Sequence, residues 1–270
     1  MSDPGAVRAH WEELARQHGV ELGATTKSPT IKRLEIEALA RTLDRIAIPP
    51  EGRVLEAGCG NGRNCLELAA RFPRVRFTGF DYIPEMVDAA RAAHAALAAG
   101  NATFVVGDVR DPSSIQGLEA PFDAIFTDRC LINLASHEEQ LEAIDALAEL
   151  VRPGGWLLLI ENTLQGYARQ NAARESLGLP AREPPWHNLF FNEDRLSAHL
   201  EERLELIGVE DFASLHDLLL YVLVPATSGG AIDYDHPVVV AATELLLRHE
   251  PARSTGAFGQ NRLFLVRCPG

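Results

Sequence analysis

Apolar positions recur along this chain in two rhythms. Over residues 4–18, Val7, Trp11, Leu14 and Ala15 fall at helical spacing, with Gly19 as the stop. A second helical face, Leu34, Ala38, Leu39, Leu43 and Ile46, follows a cap expected at Thr30 and ends at Pro49-Pro50. The polar stretch ELGATTKSPT between them predicts a mobile loop. From Val54 the rhythm changes. Short apolar runs at Val54-Leu55, Val75–Phe80, Ala102–Val106, Phe122–Thr127 and Trp156–Ile160 read as strands. Helical faces separate them: Cys65, Leu66, Leu68 and Ala69; Met86, Val87, Ala90, His94 and Leu97, closed by Gly100; and Leu141, Ile144, Leu147 and Val151 behind a capping box, Ser136-x-x-Glu139. Alternating strand and helix predicts a parallel sheet covered on both faces. Past Thr163 come a helix over Leu164–Leu177, the loop AREPPWHNLFF, and a helix started by Asn192. A sixth strand at Leu206–Phe212, an apolar helix SLHDLLLYVLVP, a helix from Pro237 to Leu247 and a last, antiparallel strand at Arg262–Arg267 complete the chain.

Composition narrows the class. At 270 residues with 46% hydrophobic residues, the chain can bury a full core, as one large domain. Twenty-five basic against 38 acidic residues give a net charge of −13, which argues against nucleic-acid and anionic-membrane partners. Cys59, Cys65, Cys130 and Cys268 form no C-x-x-C pair and no zinc spacing, so no metal site is expected and a reducing cytoplasm is. The first residues lack an apolar signal core, and no run approaches a membrane span.

The chemistry centres on RVLEAGCGNGR, Arg53–Arg63. A strand turning through Gly58, Gly60 and Gly62 into a helix brings backbone N–H groups and a helix N-terminus close to a nucleotide-like ligand. Nicotinamide-binding turns space their glycines G-x-G-x-x-G, whereas here Arg63 stands where the third glycine belongs. The E-x-G-x-G-x-G pattern beginning at Glu56 resembles the first motif of class I S-adenosylmethionine-dependent methyltransferases. FDYIPEMV, GDVRD, the PFD before the fourth strand and VRPGGWLLLIENT match that family's later motifs in order. The resemblance implies an enzyme, a transferase using S-adenosyl-L-methionine and leaving S-adenosyl-L-homocysteine. Its implied cofactor residues are Glu56 and the three glycines for the methionine end, Asp81 for the ribose hydroxyls, Tyr82, Ile83 and Met86 around adenine, and Asp108 with the Val109 N–H at its amino edge. Asp128 and Arg129 follow the fourth strand, where the family faces the methyl donor, and Arg129 has the alternative of pairing with Asp128 or Glu161.

The expected fold is therefore α/β: a Rossmann-like seven-stranded methyltransferase sheet, mostly parallel with an antiparallel last strand, plus N-terminal helices and a helical lid. Residues 1–50 would be a helical cap, 51–163 the cofactor core, 164–258 the acceptor lid with the sixth strand, and 259–270 the last strand. In this family such caps lie over the cofactor, which puts Trp11 and Lys32 within reach; a core aromatic and a solvated surface lysine are the plainer readings. For a proton acceptor the candidates are His187 in the proline-stiffened PWHN loop, then His216, with Glu161 orienting an amine or hydroxyl. The segment TLQGYARQN…LGLP…PWHN is similar to bacterial small-molecule methyltransferases of biosynthetic clusters. The expected activity is methyl transfer to O or N of a small metabolite. Set against it are a cofactor-binding regulatory or scaffold protein without turnover, a nicotinamide oxidoreductase, and a metal-dependent O-methyltransferase using Asp128 and Glu161-Asn162. The acceptor and the number of subunits, a homodimer among the options, stay open.

Overall fold

The computed structural model describes residues 3–97, 100–249 and 256–270. Seven strands form one sheet in the order β3-β2-β1-β4-β5-β7-β6. They are β1 (Arg53–Ala57), β2 (Arg76–Asp81), β3 (Ala102–Val106), β4 (Phe122–Asp128), β5 (Val151–Asn162), β6 (Glu205–Glu210) and β7 (Asn261–Arg267). The first five pair in parallel, and β7 inserts antiparallel between β5 and β6. Period-two alternation divides the core. Val54, Phe77, Phe126 and Leu158 pack on one face, while Leu55, Phe80, Ile125 and Leu157 pack on the other. On the first face lie α2 (Pro29–Arg45) and α3 (Arg63–Arg71); on the second lie α5 (His137–Glu149) and α7 (Glu193–Arg203). The remaining helices are α1 (Pro4–His18), α4 (Pro84–Ala96), α6 (Leu164–Ser176), α8 (Ser214–Leu218), α9 (Val224–Thr227) and α10 (Pro237–Arg248).

Several local expectations are corrected. Ser28, not Thr30, caps α2: its Oγ accepts from the Ile31 N–H, and Pro29 occupies the first helical position. The loop before α2 has structure of its own. It contains a tight turn at Leu22–Ala24, and Asn61 Nδ2 bonds the Gly19 and Glu21 carbonyls. Helix α4 ends at Ala96, short of Gly100. Val151 belongs to β5, opposite Phe122, rather than to the helix before it. The β5 strand runs through Pro153-Gly154-Gly155, where Gly154 at φ 71° accommodates the irregular register. The apolar run after Ser214 is interrupted: Leu219–Leu223 is π-helical between α8 and α9. Pro225, which has no N–H to donate, lies just beyond this widened turn. Part of the expected lid, residues 250–255, lies outside the described residues.

Candidate active site

A cavity of about 710 Å³ opens at the carboxyl ends of β1, β2 and β4, the side on which open α/β sheets hold their ligands. Helix α1 roofs it. Trp11 and Ala15 pack with Ile83 and Met86, Arg8 stacks on Tyr82, and Trp11 Nε1 donates to Asn133 Oδ1 at 3.2 Å. Against α1 stands the loop bearing His187, whose ring stacks on His10 at 4.4 Å.

At the glycine end, Gly58 and Gly60 line the cavity at φ 71° and 52°. A Cβ on Gly58 would strike Cys130, and one on Gly60 would strike Thr25. These glycines therefore let the turn close against its own walls, leaving the hollow open. Gly62 does not reach the cavity; it caps α3 at φ 78°, and its missing Cβ makes room for Ala90 and Phe104. Asp81 Oδ2 accepts the Gly60 N–H and Oδ1 the Ile83 N–H, both at 2.9 Å. Burial pushes its pKa up to about 6. Each oxygen keeps a lone pair beyond its backbone bond. Asp108 and Val109 also line the cavity. Burial would raise the Asp108 pKa, but bonds from Arg110 outweigh it and lower it.

Behind the glycine turn lies a buried charge network that bridges α2 to β4. Lys32 Nζ sits 2.5 Å from Asp128 Oδ2 and 2.9 Å from Glu35 Oε2. Arg129 Nε lies 2.9 Å from Glu35 Oε1, which also accepts Asn261 Nδ2 at 2.7 Å. Asn64 Nδ2 spans Glu56 Oε1 at 2.7 Å and Asp128 Oδ2 at 2.9 Å. Burial works against every charge here. The two cations nevertheless pull Asp128 below the usual carboxylate range, and Asp128 with Glu35 holds Lys32 above its own. Glu56 has no such partner at contact distance, and burial lifts it to about 8. Arg129 adopts φ 55°, an uncommon conformation for a residue with a side chain. Lys32 is therefore a buried counter-ion on the cavity wall, not a solvated surface lysine.

Of the residues singled out from the sequence, Glu56, Gly58, Gly60, Asp81, Tyr82, Ile83, Met86, Asp108, Val109, Asp128, Arg129 and His187 all face this one cavity. Glu161 and His216 do not. Glu161 accepts Thr127 Oγ1 and the Leu131 and Ile132 N–H groups, holding the loop after β4. Successive strand residues face opposite ways, so it is Asn162 that lines the cavity. His216 is fully buried between Thr30 and Asp217. Glu161 thus spends both oxygens on protein donors away from the cavity that Asp128 lines, and the two do not form the paired acids of the metal-dependent reading. Arg129 pairs with Glu35 and Asp128, not Glu161. Asn64, His10, Tyr167 and Arg182 also line the cavity, outside the motifs that mark the other residues. Asn64 had a legible signal: it lies in the first turn of the helix that the glycine loop opens.

A glycine turn feeding a cleft at the carboxyl edge of a doubly wound sheet defines an α/β protein built for a nucleotide-type cofactor. Residues 54–155 match the profile of a methyltransferase-domain family. The chain is 28% identical over 200 residues to a trans-aconitate 2-methyltransferase of Paracidovorax citrulli, covering 74% of this chain and 68% of that one. It is 33% identical over 111 residues to a malonyl-[acyl-carrier protein] O-methyltransferase of Paenibacillus, covering 40% and 38%. The N-methyltransferase NodS of Bradyrhizobium japonicum shares the fold at a TM-score of 0.55 and 15% identity, over 98% of this chain and 99% of that one. The profile match over residues 54–155 and these relatives support a class I S-adenosylmethionine-dependent methyltransferase, an enzyme whose cofactor is S-adenosyl-L-methionine.

The cavity fits that cofactor. Asp128 Oδ1 and Asn64 Oδ1 are buried acceptors without a hydrogen bond, on the wall beside Glu56. Such orphans suit an ammonium donor. No helix among the described residues is long and apolar enough to cross a membrane.

Proposed function

We propose that this enzyme methylates an oxygen or nitrogen of a small metabolite, in a biosynthetic role. The observation that carries the reading is the single cavity that runs from the glycine turn to the His187 loop beneath α1. A roofed hollow of about 710 Å³ has room for a cofactor and a compact acceptor, not for a macromolecular surface. The small-molecule acceptor named for the Paracidovorax relative supports it.

When bound, S-adenosylmethionine supplies a methyl group already activated on a sulfonium. The residues bind, orient and exclude water, and alignment of this kind contributes up to about 7–11 kcal/mol. Glu56, Asn64 and Asp128 hold the ammonium, Asp81 the ribose hydroxyls, and Ile83 with Met86 the adenine face. Calorimetry with S-adenosylhomocysteine, then a product-coupled screen of carboxylates, amines, sugars and phenols, tests the reading. Absence of binding would end it. Binding without turnover on any acceptor would favour a regulatory protein.

Glu56 gives a pH signature. Its pKa of about 8 leaves it protonated at neutral pH. An adjacent ammonium favours the ionised form, so binding should release up to one proton near pH 7 and tighten as pH rises toward 8. Titrations in buffers of different ionisation enthalpy measure that proton, and Glu56→Gln should abolish its release. Heats that do not depend on the buffer would remove the assignment.

His187 is poorly suited to general-base work. Burial, reinforced by His10 and Lys27, lowers its pKa to about 4, far below neutral operation. Its buried Nδ1 has no partner and is free to hydrogen-bond the acceptor. His187→Ala should lower kcat about tenfold, short of the roughly 10²–10⁴ that loss of a base would produce. Affinity for S-adenosylhomocysteine should stay within twofold. A bell-limb near pH 7 that vanishes in the variant would restore the base role.

A further inference from the structure

On the cavity wall beside α6, Arg182 is held as a rigid cation. Its guanidinium lies 3.7 Å from the ring centroid of Tyr221 and 4.8 Å from that of Tyr167. Its backbone N–H and carbonyl are both bonded to the Asn171 side chain on α6. One guanidinium nitrogen donates to Gln170 Oε1 at 2.7 Å, and Gln170 turns its own amide nitrogen to Asp217 and the Phe258 carbonyl. A neutral amide thus stands between Arg182 and the acid behind it. Among the described residues no carboxylate lies within 4 Å of Arg182. Nearby Arg174 is in the same position: it is buried and, among the described residues, donates to the Pro180 and Tyr221 carbonyls and pairs with no carboxylate. Two neighbouring guanidinium groups without an acid are unexpected in a chain of net charge −13. The Tyr167 hydroxyl is buried on the same wall and has no hydrogen-bond partner.

We propose that Arg182 and Tyr167 form the anchor for a carboxylate of the methyl acceptor. The acceptor class is therefore a small carboxylic acid with a second oxygen or nitrogen to receive the methyl group. This rests on the methyltransferase reading and narrows its acceptor. The geometry suits the role. A guanidinium presents a planar fork that matches a carboxylate in two parallel bonds, and two aromatic faces fix that plane before the ligand arrives. The orphan phenol supplies a further donor. The buried acceptor oxygens Asn188 Oδ1 and Gln260 Oε1, which also line the cavity, suit O–H or N–H groups on the rest of the molecule. An oxygen bonded to Arg182 is a weakened nucleophile, so the anchored group is the handle and another atom is the one methylated. Where that other atom belongs to a second carboxylate, it is ionised at neutral pH and needs no base. That matches a site in which the loop histidine, His187, is held neutral.

Equilibrium binding provides the test and does not depend on turnover. The protein saturated with S-adenosylhomocysteine is titrated with succinate, glutarate and trans-aconitate, and with succinamide and glutaramide as neutral shape controls. At least one acid should bind, and at least tenfold more tightly than its amide. Arg182→Met should weaken that acid at least tenfold and Tyr167→Phe several-fold. Arg182→Lys, which keeps the charge and loses the fork, should fall between. All three should bind S-adenosylhomocysteine within twofold of the parent, which also reports that they are folded. Equal binding of acid and amide, no binding of any acid, or an unchanged Arg182→Met would overturn the anchor. Failure of the parent protein to bind S-adenosylhomocysteine would instead overturn the methyltransferase reading beneath it.

Discussion

Replacing Asp81 with alanine should weaken S-adenosylhomocysteine binding at least tenfold. The carboxylate holds the Gly60 and Ile83 N–H groups and would accept ribose hydroxyls with the lone pairs that remain. A hydrogen bond to a charged group contributes roughly 1.5–3 kcal/mol, and two would be lost with the anchored turn. Asp81→Asn keeps one acceptor oxygen and should lie between parent and alanine. The pKa of about 6 adds a pH test. As pH falls through that value the carboxylate protonates and one acceptor is lost, so affinity should drop on the acid side in the parent and not in Asp81→Asn. Calorimetry from pH 5 to 8 measures both. Affinity within twofold of the parent in Asp81→Ala would remove the ribose assignment.

The largest loss of stability is expected at Lys32. Its ammonium is almost wholly enclosed, at 5% exposure, and contacts Asp128 and Glu35 directly. Lys32→Met removes one of two cations facing two buried carboxylates, leaving a charge without compensation. Breaking a buried pair from one side typically costs about 3–5 kcal/mol. Urea unfolding should show a loss of that order, with Lys32→Arg recovering part of it. The pH dependence has a definite sign. Asp128 is held below its unfolded value, so it stabilises the fold at neutral pH, and that contribution disappears as pH falls through the carboxylate range. In Lys32→Met the pull on Asp128 weakens, so the acid limb of the stability curve should flatten. A loss below about 1 kcal/mol would mean that the network relaxes or admits water.

The parts legible from the sequence are those governed by local rules. Short apolar runs mark the parallel strands, and the glycine turn with Asp81 and Asp108 marks their carboxyl ends, where the cavity gathers Gly58, Gly60, Asp81 and Asp108. Errors arose where the deciding contact is distant in sequence. Ser28 and Thr30 are both competent caps; Thr30 is drawn inward because His216, from the far end of the chain, bonds its hydroxyl. Lys32 reads as a polar position on an amphipathic helix until β4 brings Asp128 against it. Glu161 was placed at the correct rim, but strand alternation turns it to the opposite face, and Asn162 takes the place assigned to it. Arg182 had no signal, since its aromatic partners are separated from it in sequence and come from two different helical segments.

The Lys32 bridge also bears on where this protein can be cut. Residues 54–155, the stretch common to the wider family, include Asp128, whereas its balancing ammonium comes from a helix upstream of that stretch. A fragment trimmed to the shared portion would expose a carboxylate selected to sit beside a cation it no longer has. Grafting this shared stretch onto another scaffold, or exchanging its leading helices with those of a relative, must therefore carry Lys32 and Asp128 as one inherited unit.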